Sequence, residues 1–171
     1  VLFVSCFLLS WPLNPIFILM PSIFTRIVNG EIPCHKIAET EEFFAFLDVF
    51  PCAPGHTLVI PKQEIDYIFD LDDALYKGLM KFSKTVAIAV EKAITCKRIG
   101  IAVVGLEVPH AHVHLIPMNS MADMNFNNKL KMSQDELAEI AEKIRQQLSW
   151  QSLFAIGIGK CPAVGSNAGA V

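Results

Sequence analysis

The chain predicts an α+β fold, an antiparallel sheet with two main helices packed against it. Three observations carry that reading. Short apolar segments bounded by proline, glycine and charged residues recur through residues 36–62 and 99–117, the pattern of strands joined by turns. Two longer segments, 72–95 and 133–148, place apolar side chains every three to four positions, the period of an amphipathic helix. One apolar segment carries His110, His112 and His114 at alternate positions, so three imidazoles share one face of an extended chain.

Taken in order, residues 36–40 and 42–48 read as extended, the second holding Phe43, Phe44, Phe46 and Leu47. Pro51, Pro54 and Gly55 mark a turn, and residues 56–61 follow as a buried strand closed by Pro61, so this part is hairpin-like. Residues 72–95 set Leu75, Leu79, Phe82, Val86 and Val90 on one helical face. Asp72 and Asp73 stand where a helix start favours negative charge. Residues 99–106 and 111–117 read as two apolar strands. Ser133 and Glu136 have the spacing of a capping box, opening a helix that buries Leu137, Ile140, Ile144 and Leu148.

A chain of 171 residues with 53% apolar content is enough for one domain with a sizeable core. The expected domain spans residues 20–149, between an apolar extension at 1–19 and a flexible tail at 150–171. Residues 1–19 carry no charged side chain, but Pro12, Asn14 and Pro15 interrupt them. A basic n-region and a small-residue cleavage site are missing, which argues against a spanning helix and a signal peptide and leaves a targeting segment as the alternative to an extension. Met20 is the expected start. The net charge of −3 offers no footprint for a polymeric nucleic acid. The five cysteines are scattered singly, without a CxxC pair, which points to reduced thiols in a cytoplasmic protein and away from a thiolate zinc site. No membrane partner is expected.

The histidine segment has the sequence Pro109-His110-Ala111-His112-Val113-His114-Leu115-Ile116-Pro117. Three buried imidazoles each need a hydrogen-bond partner, so a purely structural role for all of them is disfavoured. Two chemical readings stay open on periodicity alone. Alternate histidines can ligate one metal ion, or one imidazole can attack phosphorus while the others orient it and the phosphate oxygens.

This segment resembles the signature of the histidine triad (HIT) family of nucleotide hydrolases and transferases. The likeness extends to IFTRIVNGEIP at 23–33, similar to the family's opening segment, and to FLDVFPCAPGHTLVIPK at 46–62, similar to its nucleotide-binding hairpin. Three motifs in order are more specific than HxHxH alone. The resemblance implies a HIT-like fold and a nucleotidyl-histidine intermediate on His112, formed by attack on the α-phosphate of a purine nucleotide. His110 and His114 would orient the nucleophile and bind phosphate, with His56 as a fourth histidine. Asp48 would hold the ribose hydroxyls, and Ile23, Phe24, Ile27, Phe46, Val49 and Leu58 would line the base cleft, although each of the six suits a plain core equally. By itself, Asp48 also suits a turn. The activity implied is that of a nucleotide phosphoramidase or dinucleoside polyphosphate hydrolase. No cofactor is implied, and a homodimer is, with the long helix and a central strand at the interface.

Two departures from the family pattern stand out. Before the triad, Gly105 is kept, but Leu106 cannot donate a hydrogen bond and Glu107 occupies the position of a hydroxyl. A carboxyl group there serves as an acid toward the leaving group only if it is shielded enough to hold its proton. The paired zinc-ligand cysteines of some members would fall near Ser22 and Thr25, so no structural zinc is implied. Two alternatives to the enzyme stand beside it. One is a nucleotide-binding module with little turnover, and the other is a histidine-ligated metalloenzyme.

Overall fold

The computed structural model describes residues 20–148. The expectations for residues 1–19, for Ser149 and for the tail at 150–171 therefore lie outside the described residues. A short helix α1 (Ile23–Val28) precedes the strands β1 (Lys36–Glu39), β2 (Phe43–Leu47) and β3 (Thr57–Pro61). A long helix α2 (Asp73–Ala93) leads to β4 (Arg98–Ala102) and β5 (Val113–Met118), and α3 (Gln134–Gln147) follows. The five strands make one antiparallel sheet in the order β1-β2-β3-β5-β4, which is the α+β architecture expected.

Alternation along the strands sorts the apolar residues into two layers. Phe43, Ala45, Leu47, Val59, Val113 and Leu115 face one side, where they join Leu75, Leu79, Phe82, Val86 and Val90 of α2 and Leu137, Ala141 and Ile144 of α3 in the main core. Phe44, Phe46, Leu58 and Ile60 face the other side and pack with Phe24 of α1. The sheet therefore holds a helical layer on one face and leaves its opposite face to build the site.

Both long helices form for the reasons the sequence carries. The Asp72 side chain accepts from the backbone N–H groups of Ala74 and Leu75, each at 2.9 Å, and satisfies two orphan donors of the first turn. Ser133 and Glu136 make the reciprocal capping box of α3. Ala141 sits in the core of α3, while Ile140 and Leu148 pack at its edge.

Three differences from the expected elements concern the site. No helix was expected at Ile23–Val28, whose six residues are too few to show a period; the Ser22 side chain caps it by accepting from Thr25 N–H. The strand expected at 99–106 ends at Ala102, and Gly105 adopts a left-handed φ of 68° in the loop beyond. The strand expected from residue 111 begins at Val113, so His110 and His112 lie on the segment leading into it. There the Ala111 N–H donates to the Ile65 carbonyl at 2.7 Å and not to a neighbouring strand.

Two substitutions on the buried face of α2 should have opposite signs. A Cβ at Gly78 would lie 2.7 Å from Cζ of the fully buried Phe43, whose ring stacks on Phe82. Gly78→Ala would gain about 1 kcal/mol of helix propensity and lose about 1–3 kcal/mol to overpacking, so it should lower the urea midpoint. Ser83 is fully buried and its hydroxyl has no partner among the described residues. Ser83→Ala should raise the midpoint by about 1 kcal/mol equivalent. A reversed order of the two midpoints would contradict this packing.

Candidate functional site

His110, His112 and His114 are all buried, with 0%, 6% and 7% of their surface exposed, while Ala111, Val113 and Leu115 between them enter the main core. The imidazoles therefore project from the opposite face of the chain, toward Phe24 and the second apolar layer. The Phe24 ring meets His112 and His110 edge-on, with centroids 5.1 and 5.9 Å apart. His112 and His114 stand 4.7 Å apart.

Hydrogen bonds fix which nitrogen of each ring carries a proton. A carbonyl can only accept, so the 2.7 Å contact between His112 Nδ1 and the His110 carbonyl places the His112 proton on Nδ1. In its neutral form that ring leaves a lone pair on Nε2. The 2.8 Å contact between His110 Nε2 and the Pro61 carbonyl places the His110 proton on Nε2, and His110 Nδ1 then accepts from the Ser22 hydroxyl at 2.8 Å. His56 Nδ1 accepts from the Cys52 N–H at 3.2 Å. The His56 proton is therefore on Nε2 and is donated to His114 Nδ1 at 3.0 Å. His114 in turn keeps its proton on Nε2, a donor available to a ligand. Two chains of hydrogen bonds thus prepare an imidazole lone pair beside an imidazole donor.

Burial supports neutral rings. It lowers the pKa of His56 to about 4 and that of His114 to about 3, helped in both by the neighbouring His112. It also lowers that of His110, against the opposing pull of the Pro61 carbonyl and Glu64. The 3.5 Å approach of Asp48 Oδ2 to His56 Nδ1 is consequently not an ion pair at neutral pH, because Nδ1 is occupied by the Cys52 N–H.

A second set of polar residues stands behind His110. Thr25 Oγ1 donates to Glu64 Oε2 in a short hydrogen bond, and Ser22 N–H donates to the same oxygen at 3.0 Å. The Thr25 hydroxyl bond is the main reason the Glu64 carboxyl lies below its usual range. Ser22 and Thr25 thus hold His110 through hydroxyl groups, with no cysteine at either position. Glu64 and the Pro61 carbonyl had no signal in the sequence, since Pro61 meets His110 across 49 positions of chain and Glu64 reaches it only through Ser22 and Thr25.

Asp48 follows β2 and does two things at once. Its Oδ1 accepts from Phe50 N–H at 2.9 Å, an Asx turn that shapes the hairpin, and its Oδ2 lies 3.5 Å from His56 Nδ1, with 21% of the side chain exposed. Of the six residues expected to line a base cleft, Phe24, Phe46 and Leu58 are buried together with Ile27 packed against them, whereas Ile23 and Val49 are 48% and 44% exposed. Gly105 has open space around its Cα. Glu107 is 82% exposed, without the shielding that an acid role requires, and its Oε2 lies 3.7 Å from Lys129 Nζ. Phe126 also went unseen in the sequence; its ring is 4.8 Å from His114 and 6.3 Å from His56.

Among the described residues, one group of side chains has the geometry to hold a metal ion. Ligand atoms of Asp48, His56 and His114 lie within 4.8 Å of one another. An ion there would have to displace the hydrogen bonds that His56 makes with Cys52 N–H and His114. The described thiols, Cys34, Cys52 and Cys96, are free. Among the described residues no helix is long and apolar enough to cross a membrane.

Comparison with known proteins gives a consistent result. The HIT domain family model matches residues 29–121. An uncharacterized HIT-like protein of Borreliella burgdorferi is 31% identical over 135 residues, covering 74% of this chain and 97% of that protein. The adenosine 5'-monophosphoramidase of Schizosaccharomyces pombe is 39% identical over 100 residues, covering 57% of this chain and 74% of that protein. Among solved structures, a Hit-like protein from Bartonella henselae superposes with a TM-score of 0.68 at 32% identity, covering 74% of this chain and 96% of that one.

The depressed histidine pKa values predict an acid-sensitive fold. Below pH 6.5 the unfolded chain takes up protons at His56 and His114 that the folded chain refuses until about pH 4 and about pH 3. Their contribution is complete above pH 6.5 and is lost as pH falls, by up to about 1.4 kcal/mol per pH unit for each ring. Urea midpoints should drop between pH 7 and pH 5, and the drop should shrink in His56→Gln. A flat profile across that window would contradict neutral, buried rings.

Proposed function

The chain belongs to the HIT family, and from that premise we propose that it is a nucleotide hydrolase working through a nucleotidyl-His112 intermediate on phosphoramidates or dinucleoside polyphosphates of purine nucleosides. The observation that carries this reading is the hydrogen bond from His112 Nδ1 to the His110 carbonyl, at 2.7 Å. It turns Nε2 of the middle histidine into the available nucleophile, in a chain that shares 39% identity with an adenosine 5'-monophosphoramidase.

In the first step His112 Nε2 forms a bond to the α-phosphorus as the bond to the leaving group breaks; a nitrogen leaves with a proton taken from water, whereas a polyphosphate oxygen leaves as its anion. In the second step a water oxygen bonds to phosphorus, the N–P electron pair returns to Nε2, and the water's proton passes to solvent. His114 Nε2–H supplies a donor for the phosphate oxygens, where negative charge concentrates as phosphorus becomes five-coordinate. His110 acts on the nucleophile through its carbonyl, and the Ser22, Thr25 and Glu64 network holds His110. Asp48 Oδ2 accepts from the ribose hydroxyls, while Phe24, Ile27, Phe46 and Leu58, with Ile23 and Val49 at the rim, form the cleft for the base.

The same proposal places the protein in the cytoplasm as a homodimer. Edge strand β4 and the loop after it expose Ile101, Val103, Val104 and Leu106, the last at 88%, and an unpaired apolar edge favours pairing with a second copy. A binding module with little turnover is the second reading, favoured by one observation: Leu106 and Glu107 put no shielded donor at the leaving-group position.

Incubation with adenosine 5'-phosphoramidate, followed by acid-free peptide mapping, should find a nucleotidyl adduct on His112 and release of AMP. His112→Ala should lose turnover while keeping most of its affinity for AMP, because binding comes from the cleft and the ribose contact. Asp48→Asn can keep the turn through Oδ1, and it should weaken ribonucleotide binding by about 1.5–3 kcal/mol, with a smaller effect on deoxyribonucleotides. Binding without turnover or adduct would favour the module. Equal losses for both sugars would leave Asp48 to the turn alone.

A further inference from the structure

The geometry points to Lys129 as the residue that recognises an anionic leaving group, so that this chain favours nucleotides whose α-phosphate carries further phosphates over those with a neutral leaving group. The inference rests on the nucleotidyl-histidine reading above and names the substrate class within it.

The segment after β5 folds back onto the site and is fixed on both sides of Lys129. On one side the Phe126 ring packs on His114 and His56, and Asn125 turns the chain by accepting from Asn127 N–H at 3.1 Å and Asn128 N–H at 3.0 Å. On the other side Leu130 N–H donates to the Pro51 carbonyl at 2.8 Å. Lys129 Nζ then lies 5.9 Å from the centre of the Phe50 ring and 3.7 Å from Glu107 Oε2. Phe50 is two residues beyond Asp48, and Glu107 is three residues before His110. The ammonium group thus spans from the loop that carries the ribose carboxylate to the loop that precedes the triad.

Charge gives this placement its meaning. Burial keeps His56, His110 and His114 from charging, and Asp48 adds a carboxylate, so the described walls offer a polyphosphate hydrogen bonds and little positive charge. Lys129 supplies the missing cation. Its contact with Glu107 joins side chains 45% and 82% exposed, and an exposed pair of this kind is worth about 0–1 kcal/mol, which the adjoining anionic phosphates of the substrate can replace. Ammonia leaving a phosphoramidate offers Lys129 nothing to hold. Glu107 accordingly acts as a competitor for the Lys129 ammonium, a role that its exposure permits.

The test compares kcat/KM for diadenosine tetraphosphate and for adenosine 5'-phosphoramidate in the wild type, Lys129→Met, Lys129→Arg and Glu107→Gln. The polyphosphate-to-phosphoramidate ratio should fall about 3- to 10-fold in Lys129→Met, through KM more than kcat. It should be largely restored in Lys129→Arg, rise in Glu107→Gln, and lose its dependence on Lys129 at high salt. An unchanged ratio in Lys129→Met, or an arginine no better than methionine, would overturn the inference. Calorimetry in a His112→Ala background separates it from the reading it rests on. If the wild type turned over neither substrate, the proposed reaction would fail, yet Lys129→Met must still weaken diadenosine tetraphosphate more than AMP; equal weakening would reject Lys129 on its own.

Discussion

The hydrogen bond between His112 Nδ1 and the His110 carbonyl does more than join two neighbours in the chain. Imidazole is a nucleophile only through a nitrogen that lacks a proton, and at His112 the choice of nitrogen is made by a backbone atom 2.7 Å away. That carbonyl is useful only while His110 stays in place. Pro61 accepts from one side of the His110 ring and Ser22 donates to the other, while Thr25 and Glu64 complete the support. Helix α1, the end of β3 and the segment after it therefore all converge on the geometry of one lone pair.

The two faces of the sheet divide stability from chemistry. On the side of α2 and α3, Phe43, Phe82, Leu79 and Val86 are fully buried and apolar, so the strands are held by packing that owes nothing to the site. On the side of α1 the layer is thin. Phe24 joins this core to the histidines, touching Phe46 and the rings of His110 and His112. A residue in this position was bound to look like plain core in the sequence, because burial and cleft-lining demand the same side chain. Phe24 packs on His110 and Phe126 on His56 and His114, and the burial that holds these three histidines toward neutrality links the stability of the site to pH.

How far the sequence could be read follows from the range of each interaction. Helices α2 and α3 were legible because Leu75, Leu79, Phe82 and Val86, and Leu137 and Ile144, repeat over several turns and because Asp72 and Ser133 mark the starts. The β2–β3 hairpin announced itself through Pro51, Pro54 and Gly55. The histidine face followed from alternation alone. Helix α1 was not legible, since six residues held by a serine cap and by tertiary packing show no period. Glu64 and Phe126 reach the site from distant positions, and nothing local marks them. Asp48 was legible as either a turn residue or a ligand-binding carboxylate, and its two oxygens permit both. Glu107 stands three residues before His110 in the sequence, but its exposure depends on a loop in which Gly105 takes a positive φ.

The tautomers of the four site histidines can be read directly by nitrogen-15 NMR through two- and three-bond couplings to the ring carbon-bound protons. At neutral pH the hydrogen bonds require His56, His110 and His114 to carry their protons on Nε2. His112 in its neutral form must carry its proton on Nδ1, with the unprotonated shift on Nε2. A neutral His112 protonated on Nε2 would leave no lone pair facing a substrate, and it would contradict the nucleophile on which the account rests.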